Sequence, residues 1–257
     1  MKIRSLFATG LLALTLGAAG SAAALEVDVE DCDVDSPYST RIDADRIAFS
    51  HDKTHSVVSV LGNGRVEVDG RALSLSAADA AKVAEFERVA RAIVPEAKAL
   101  AIDAVGIAFE AVGHVSTAFA ENGHDARESA RRIARSAQEL QRSIRERDSW
   151  GPHSDREIER IIEGAVGSLI GEIVGNITAQ AVNVALSGDT RAIAELEARA
   201  ASIEKNVEEA VEKRASEIEA RADALCKRVQ ELDRIESNIT ARLPDGSAFD
   251  LVRVKRR

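Results

Sequence analysis

The spacing of apolar residues changes at Ser76, and that change limits the folds open to this chain. Before Ser76 the period is two. "LEVDVEDCDV", residues 25–34, alternates apolar and acidic side chains as a half-buried strand does. Further on, Val58 and Val60, the turn Gly62-Asn63-Gly64, then Val66 and Val68 spell a hairpin. Asp69-Gly70 is a second tight turn, and Leu73 and Leu75 make a third short strand. So small a meander cannot bury a core by itself and needs helices to pack on.

From Ser76 to Pro244 the period is helical. Ser76 and Asp79 form a relative of the Ser-x-x-Glu capping box. Val83, Phe86, Val89, Ala90 and Ile93 fall on one stripe, and Pro95 is expected to end or kink that helix. Residues 96–121 are Ala-rich and apolar nearly all round, which predicts the inside of a bundle. His114 there reads as a bundle histidine bonded to a carbonyl or to Glu110. Asn122-Gly123 breaks the pattern. Asp125 and Glu128 restart it up to about Arg147, with Ala126, Ala130, Ile133, Ala137, Leu140 and Ile144 as its seam. "SWGPHS" is read as a turn, and Ser154 with Glu157 as the cap of a helix reaching Ser187. From Thr190 to Leu243 one long helix is expected. Val211, Ile218, Leu225, Leu232 and Ile239 repeat every seven residues, interleaved by Ala215, Ala222, Val229 and Leu243. Glu236 is the exception in that seam. "AFDLVRVKRR" at the end reads as a tail or an edge strand with a basic tip.

The expected fold is therefore α+β, mostly α: a small N-terminal antiparallel β-meander packed on an antiparallel helical bundle with a long C-terminal coiled-coil-like helix. Residues 1–24 read as a signal peptide, with Lys2 and Arg4 ahead of an apolar run and Ala22-Ala23-Ala24 at the cleavage site. Residues 25–257 then form a single mature domain, divided into the meander (25–75), the bundle (76–243) and the tail (244–257). Export predicts a periplasmic address. It also predicts a disulfide between Cys32 and Cys226, since an even cysteine count in an oxidising compartment is normally bridged.

The net charge of −9 becomes more negative once the leader is removed, because the leader carries basic residues and no acids. Such a chain is repelled by nucleic acid and by anionic lipid. With aromatics at 3% it has few rings on which bases or sugars could stack.

"LGNGRVEVDGRALSLSAADAAKV", residues 61–83, sets a glycine turn, a Val-Asp-Gly turn and a Leu-Ser cap in order. A helix to Val94-Pro95 follows, a lone cysteine precedes, and a second cysteine lies in a late helix. In these features the chain resembles the YggN-type family of uncharacterised proteobacterial periplasmic proteins. Phe86 departs from the tyrosine expected there. The resemblance implies a periplasmic address and supplies no catalytic residues to carry over.

No residues suggest catalysis, a cofactor or a metal. "HDKTH" spaces His51 and His55 four apart, but in a loop or strand entry, where that spacing brings no shared face. There is no Gly-x-Ser-x-Gly elbow and no phosphate loop between a strand and a helix. Carboxylates alternate with arginine, as on solvated helix faces. The reading is a non-catalytic scaffold or binding module acting through helical surfaces on an envelope protein. Self-association through the C-terminal helix is left open.

One pattern resists a bland account. Gly164, Gly167, Gly171 and Gly175 share one stripe, while Val166, Leu169, Ile170, Ile173 and Ile177 share another. The expectation is a bundle helix whose glycine stripe admits an Ala-rich neighbour closely, as in small-xxx-small pairs. On that reading Gly171→Leu costs about 1–3 kcal/mol by overpacking. The second reading is a membrane-associating protein using the glycine-zipper helix 164–186. Glu172 opposes it at about 3 kcal/mol for a charge near mid-bilayer, as do Asn176, Gln180 and Asn183. An enzyme with an unrecognised site is the third.

Overall fold

The computed structural model describes residues 33–120 and 123–255. The leader and nearly all of the strand expected at 25–34 lie outside the described residues. The elements are β1 (Asp33–Asp35), β2 (Tyr38–Ile42), β3 (Arg46–His51), β4 (Val57–Leu61), β5 (Arg65–Val68), β6 (Arg71–Ala72), α1 (Ala77–Ala118), α2 (Gly123–Glu146), β7 (Ser149–Trp150), α3 (Pro152–Ser187), α4 (Thr190–Ser237) and β8 (Arg253–Lys255). The α+β, mostly helical class is as expected. Contacts gather into two compact units. Of the described residues, the first holds those up to Ala97, those of Asp148–Arg156 and those from Glu219 on; the second holds those of Lys98–Arg147 and Glu157–Ile218.

In the first unit six antiparallel strands run in the order β6-β5-β4-β3-β2-β7, and β1 pairs with β8 in a separate ladder. The hairpin register sets Val58 opposite Val68 and Val60 opposite Val66. The next pairing adds Phe49 to the first row and Ile47 to the second. Cross-strand rows of this kind are the unit of sheet stabilisation. Both rows are buried against Val83, Phe86, Val89 and Ala90 of α1 and against Leu232 and Ile235 of α4, with Ile239, Leu243, Phe249 and Leu251 from beyond it.

The tight turns follow from their residues. Asp69 (φ 51°) and Gly70 (φ 76°) are both left-handed, as a two-residue hairpin loop of the primed type requires. Gly64 is left-handed for a further reason. A Cβ on it would stand 2.0 Å from the Ala80 carbonyl oxygen, so the hairpin sits directly on the first turns of α1.

Several expectations are corrected here. Strands β2 and β3 were not legible from period alone, because Ser, Thr and Arg are mixed into them. The third short strand is Arg71–Ala72, while Leu73 and Leu75 pack on the core from outside the sheet. "SWGPHS" is not all turn. Trp150 pairs with Thr40 and Ser149 with Arg41, and α3 starts at Pro152, ahead of Ser154. Proline suits a first helical position because its missing N–H is not needed there. α1 runs through Pro95 as one helix of 42 residues. A proline inside a helix costs about 3 kcal/mol. Burial of Val89 and Ala90 before it and of Ile107 and Phe109 after it offsets that cost. α4 ends at Ser237, not at Leu243. The amide and hydroxyl of Thr240 donate to Asp79, at 3.0 and 2.8 Å, and draw the chain off the helical path.

The second unit is helical, with two small cores. Ile107 of α1 packs with Val211, Ala215 and Ile218 of α4. Phe109 of α1 packs with Ile133 and Leu140 of α2 and Leu169 of α3. Between the helices, Gln141 donates to the Ile102 carbonyl at 3.2 Å and Gln180 to that of Phe119 at 2.6 Å. His114 is exposed rather than inside the bundle, and Glu110 pairs with Arg214.

Candidate functional site

α3 enters the second unit by one side only. Leu169 is buried in the Phe109 cluster, and Ile170, Ile173 and Ile177 are half-buried. The opposite side is bare. Gly164, Gly167, Gly171 and Gly175 are exposed, and a Cβ built on any of them meets nothing within 4 Å. Among the described residues, no close-packed Ala-rich neighbour of the kind expected stands on this stripe. The physical reason is that the bulky stripe already satisfies the contact with α1 and α2, and a glycine stripe offers little apolar area to compete for that place.

At 100° per residue the glycine stripe continues through Thr178, Val182 and Leu186 within a sector about 100° wide. All three are exposed, Leu186 at 82% and Val182 at 49%. From Gly164 to Leu186 this is roughly 33 Å of helix at 1.5 Å per residue. Leu169–Ser187 is also the one helix stretch among the described residues long and apolar enough, by length and composition, to cross a membrane, with a mean hydropathy of 1.3. Only 6% of it is buried.

The remaining singled-out residues fall elsewhere. Cys226 is buried in the first unit and is not a free thiol. Cys32, its expected partner, lies outside the described residues. His51 and His55 flank the β3–β4 turn. The His51 Nδ1 accepts from the amides of Lys53 (3.1 Å) and Thr54 (3.3 Å), which occupies that nitrogen in shaping the turn. The seam residues Val211, Ala215 and Ile218 of α4 are covered by α1 within the second unit.

Glu236 carries more than its place as a seam exception suggested. It is 2% exposed. Its Oε1 accepts from the Leu251 amide at 2.5 Å and its Oε2 from the Val252 amide at 3.0 Å. Burial pushes its pKa up to about 8, against the pull of those two amides, and Asp250 and Asp233 add to the rise. A charged residue in an apolar heptad was the available signal, but its partners lie beyond the helix end, where spacing gives no information.

The model of one family, described as protein of unknown function (DUF2884), matches residues 32–252. The chain belongs to the DUF2884 family. The match spans the six-stranded sheet, helices α1–α4 and the Leu251 and Val252 amides that Glu236 holds. No curated protein and no solved structure matches this DUF2884 chain.

Proposed function

We propose that this DUF2884 protein is an exported, periplasmic, non-catalytic binding module of the YggN type, which engages an envelope protein through the bare face of α3. One observation carries the reading: along the stripe Gly164–Gly167–Gly171–Gly175, prolonged by exposed Val182 and Leu186, a Cβ built on any of the glycines meets no neighbouring element of the described chain within 4 Å. Each glycine inside a helix costs about 1 kcal/mol relative to alanine. No contact among the described residues offsets that cost, whereas a partner helix approaching backbone to backbone would. The test is a photo-crosslinking residue placed at Gly171 or Val182 in intact cells. A discrete protein adduct from both positions, lost when the other carries a leucine or arginine, supports the reading. Adducts no more frequent than from exposed Arg199 on α4 overturn it.

The second reading, membrane association through 164–186, is favoured by the hydropathy and exposure of Leu169–Ser187. Co-sedimentation of the mature protein with phosphatidylethanolamine–phosphatidylglycerol vesicles, abolished by Val182→Asp, would select it over a protein partner.

The same proposal includes a Cys32–Cys226 bridge. It is supported by the export signal, the paired count and the burial of Cys226. Thiol labelling of the unreduced, denatured mature protein should find no free thiol; two per chain would rule the bridge out.

A further inference from the structure

Beyond Leu243 the chain turns back, and residues 249–252 lie against the last turn of α4. Phe249 and Leu251 are core residues there, at 3% and 0% exposure. Glu236 holds two consecutive amides of this segment, one on each carboxyl oxygen. On the other side of the segment, Ser36 donates its hydroxyl to the Leu251 carbonyl at 2.7 Å. Arg253–Lys255 then follow as β8, paired with β1.

Glu236 forms no ion pair with a described Lys or Arg. The charges that act on it most are both carboxylates, Asp250 from the segment it holds and Asp233 from its own helix. From β2, Tyr38 shares this neighbourhood, and its hydroxyl is influenced in turn by Asp245, Asp250 and Arg253. The two amides favour the anion, but burial, with two like charges nearby, works against it and prevails.

We propose that Glu236 makes closure of the C-terminal segment, residues 249–255, depend on pH, so that the segment is clasped while the carboxyl holds its proton and loosens as the proton leaves. Opening brings the carboxyl into water, where it ionises near 4.5, whereas in the closed protein it keeps its proton to about 8. Between those values each opening event releases one proton to solvent. The opening equilibrium therefore rises by up to about tenfold per pH unit. Opening also takes β8 from β1, because the ladder is the direct continuation of the clasped residues.

Hydrogen exchange at the Leu251 and Val252 amides of the mature protein tests this, read between pH 5 and 8.5 and corrected for the intrinsic rate. The expected result is an opening constant that climbs up to about tenfold per unit and levels off near pH 8. Glu236→Gln should make the profile flat. Asp250→Asn removes a like charge, so its profile should level off at a lower pH, which keeps the test decisive if the glutamine variant does not fold. An opening constant independent of pH in the parent protein overturns the proposal. So does a rise that survives in Glu236→Gln, or a Glu236 carboxyl whose carbon resonance titrates near 4.5.

Discussion

Asp79 and Glu236 are buried carboxylates of the same unit, and their surroundings move them in opposite directions. Asp79 accepts from the Thr240 amide and hydroxyl, from the Ser76 hydroxyl and from Lys82. The Thr240 amide does most to bring its pKa down to about 2. A depressed carboxylate contributes stability above its unfolded value near 3.8 and loses it as pH falls through 2. Glu236, raised to about 8, contributes fully below 4.5 and loses that contribution as pH rises through 8. So far as these two groups decide it, the first unit is most stable between about pH 4 and 5. Urea melts should show stability falling from pH 5 to 8 by an amount of the order of 4 kcal/mol. Glu236→Gln should remove that fall, and Asp79→Asn should remove the loss on the acid side. A melt midpoint unchanged from pH 5 to 8 would contradict the Glu236 assignment. Gly64 is the other residue whose role is sharply defined. Its left-handed backbone alone makes Gly64→Ala cost about 1–2 kcal/mol. The new Cβ would also stand 2.0 Å from the Ala80 carbonyl, which has no rotamer to move. The urea midpoint of this variant should drop further than that of Gly70→Ala, since nothing lies within 4 Å of a Cβ at Gly70.

Among the elements, α3 shows how much a helix pattern leaves undecided. Two stripes were legible in its sequence, one bulky and one of glycine, and both looked like packing faces. Among the described residues, only the bulky one is filled. This removes the cost expected of Gly171→Leu. With open space at Gly171, Gly171→Ala should stabilise the protein by up to about 1 kcal/mol through helix propensity. Gly171→Leu should be close to neutral or mildly stabilising, where packing against an Ala-rich helix would have cost about 1–3 kcal/mol. Paired urea melts of the mature protein separate the two. A loss above 1 kcal/mol in the leucine variant alone would restore a close neighbour on the stripe. α4 teaches the complementary lesson. Its heptads placed Val211, Ala215, Ile218 and Leu232 in cores as expected. Its end at Ser237 did not come from Pro244, the nearest breaker, but from Asp79, far away in sequence and close in space.

Across the whole molecule, neither unit is continuous in sequence. The first needs the sheet, the start of α1, the end of α4 and the C-terminal segment together. That segment read as a tail or an edge strand. Its basic end does form β8, but Phe249 and Leu251 are core residues, Phe249 meeting Phe86 edge-on with ring centres 6.5 Å apart. Removal of one buried Phe or Leu side chain from a core costs about 2–5 kcal/mol. A chain stopped after Leu243 loses both, together with the partners of Glu236 and β1. It should therefore fail to show a cooperative melt of the sheet, as followed by far-ultraviolet circular dichroism and tryptophan fluorescence of Trp150. A truncated chain with the parent's melting curve would show that the segment is dispensable.

What the sequence determined by itself is what depends on neighbours along the chain. The switch of period at Ser76, the left-handed turns at Asn63-Gly64 and Asp69-Gly70, the cap at Ser76 and the break before α2 are set by backbone sterics and side-chain spacing within a few residues. What only the tertiary structure decided depends on groups that arrive from far away. The continuity of α1 through Pro95, the end of α4, the open glycine face of α3 and the burial of Glu236 each turn on which surfaces meet. Burial and desolvation energies are set by that meeting, and spacing along one chain does not record it.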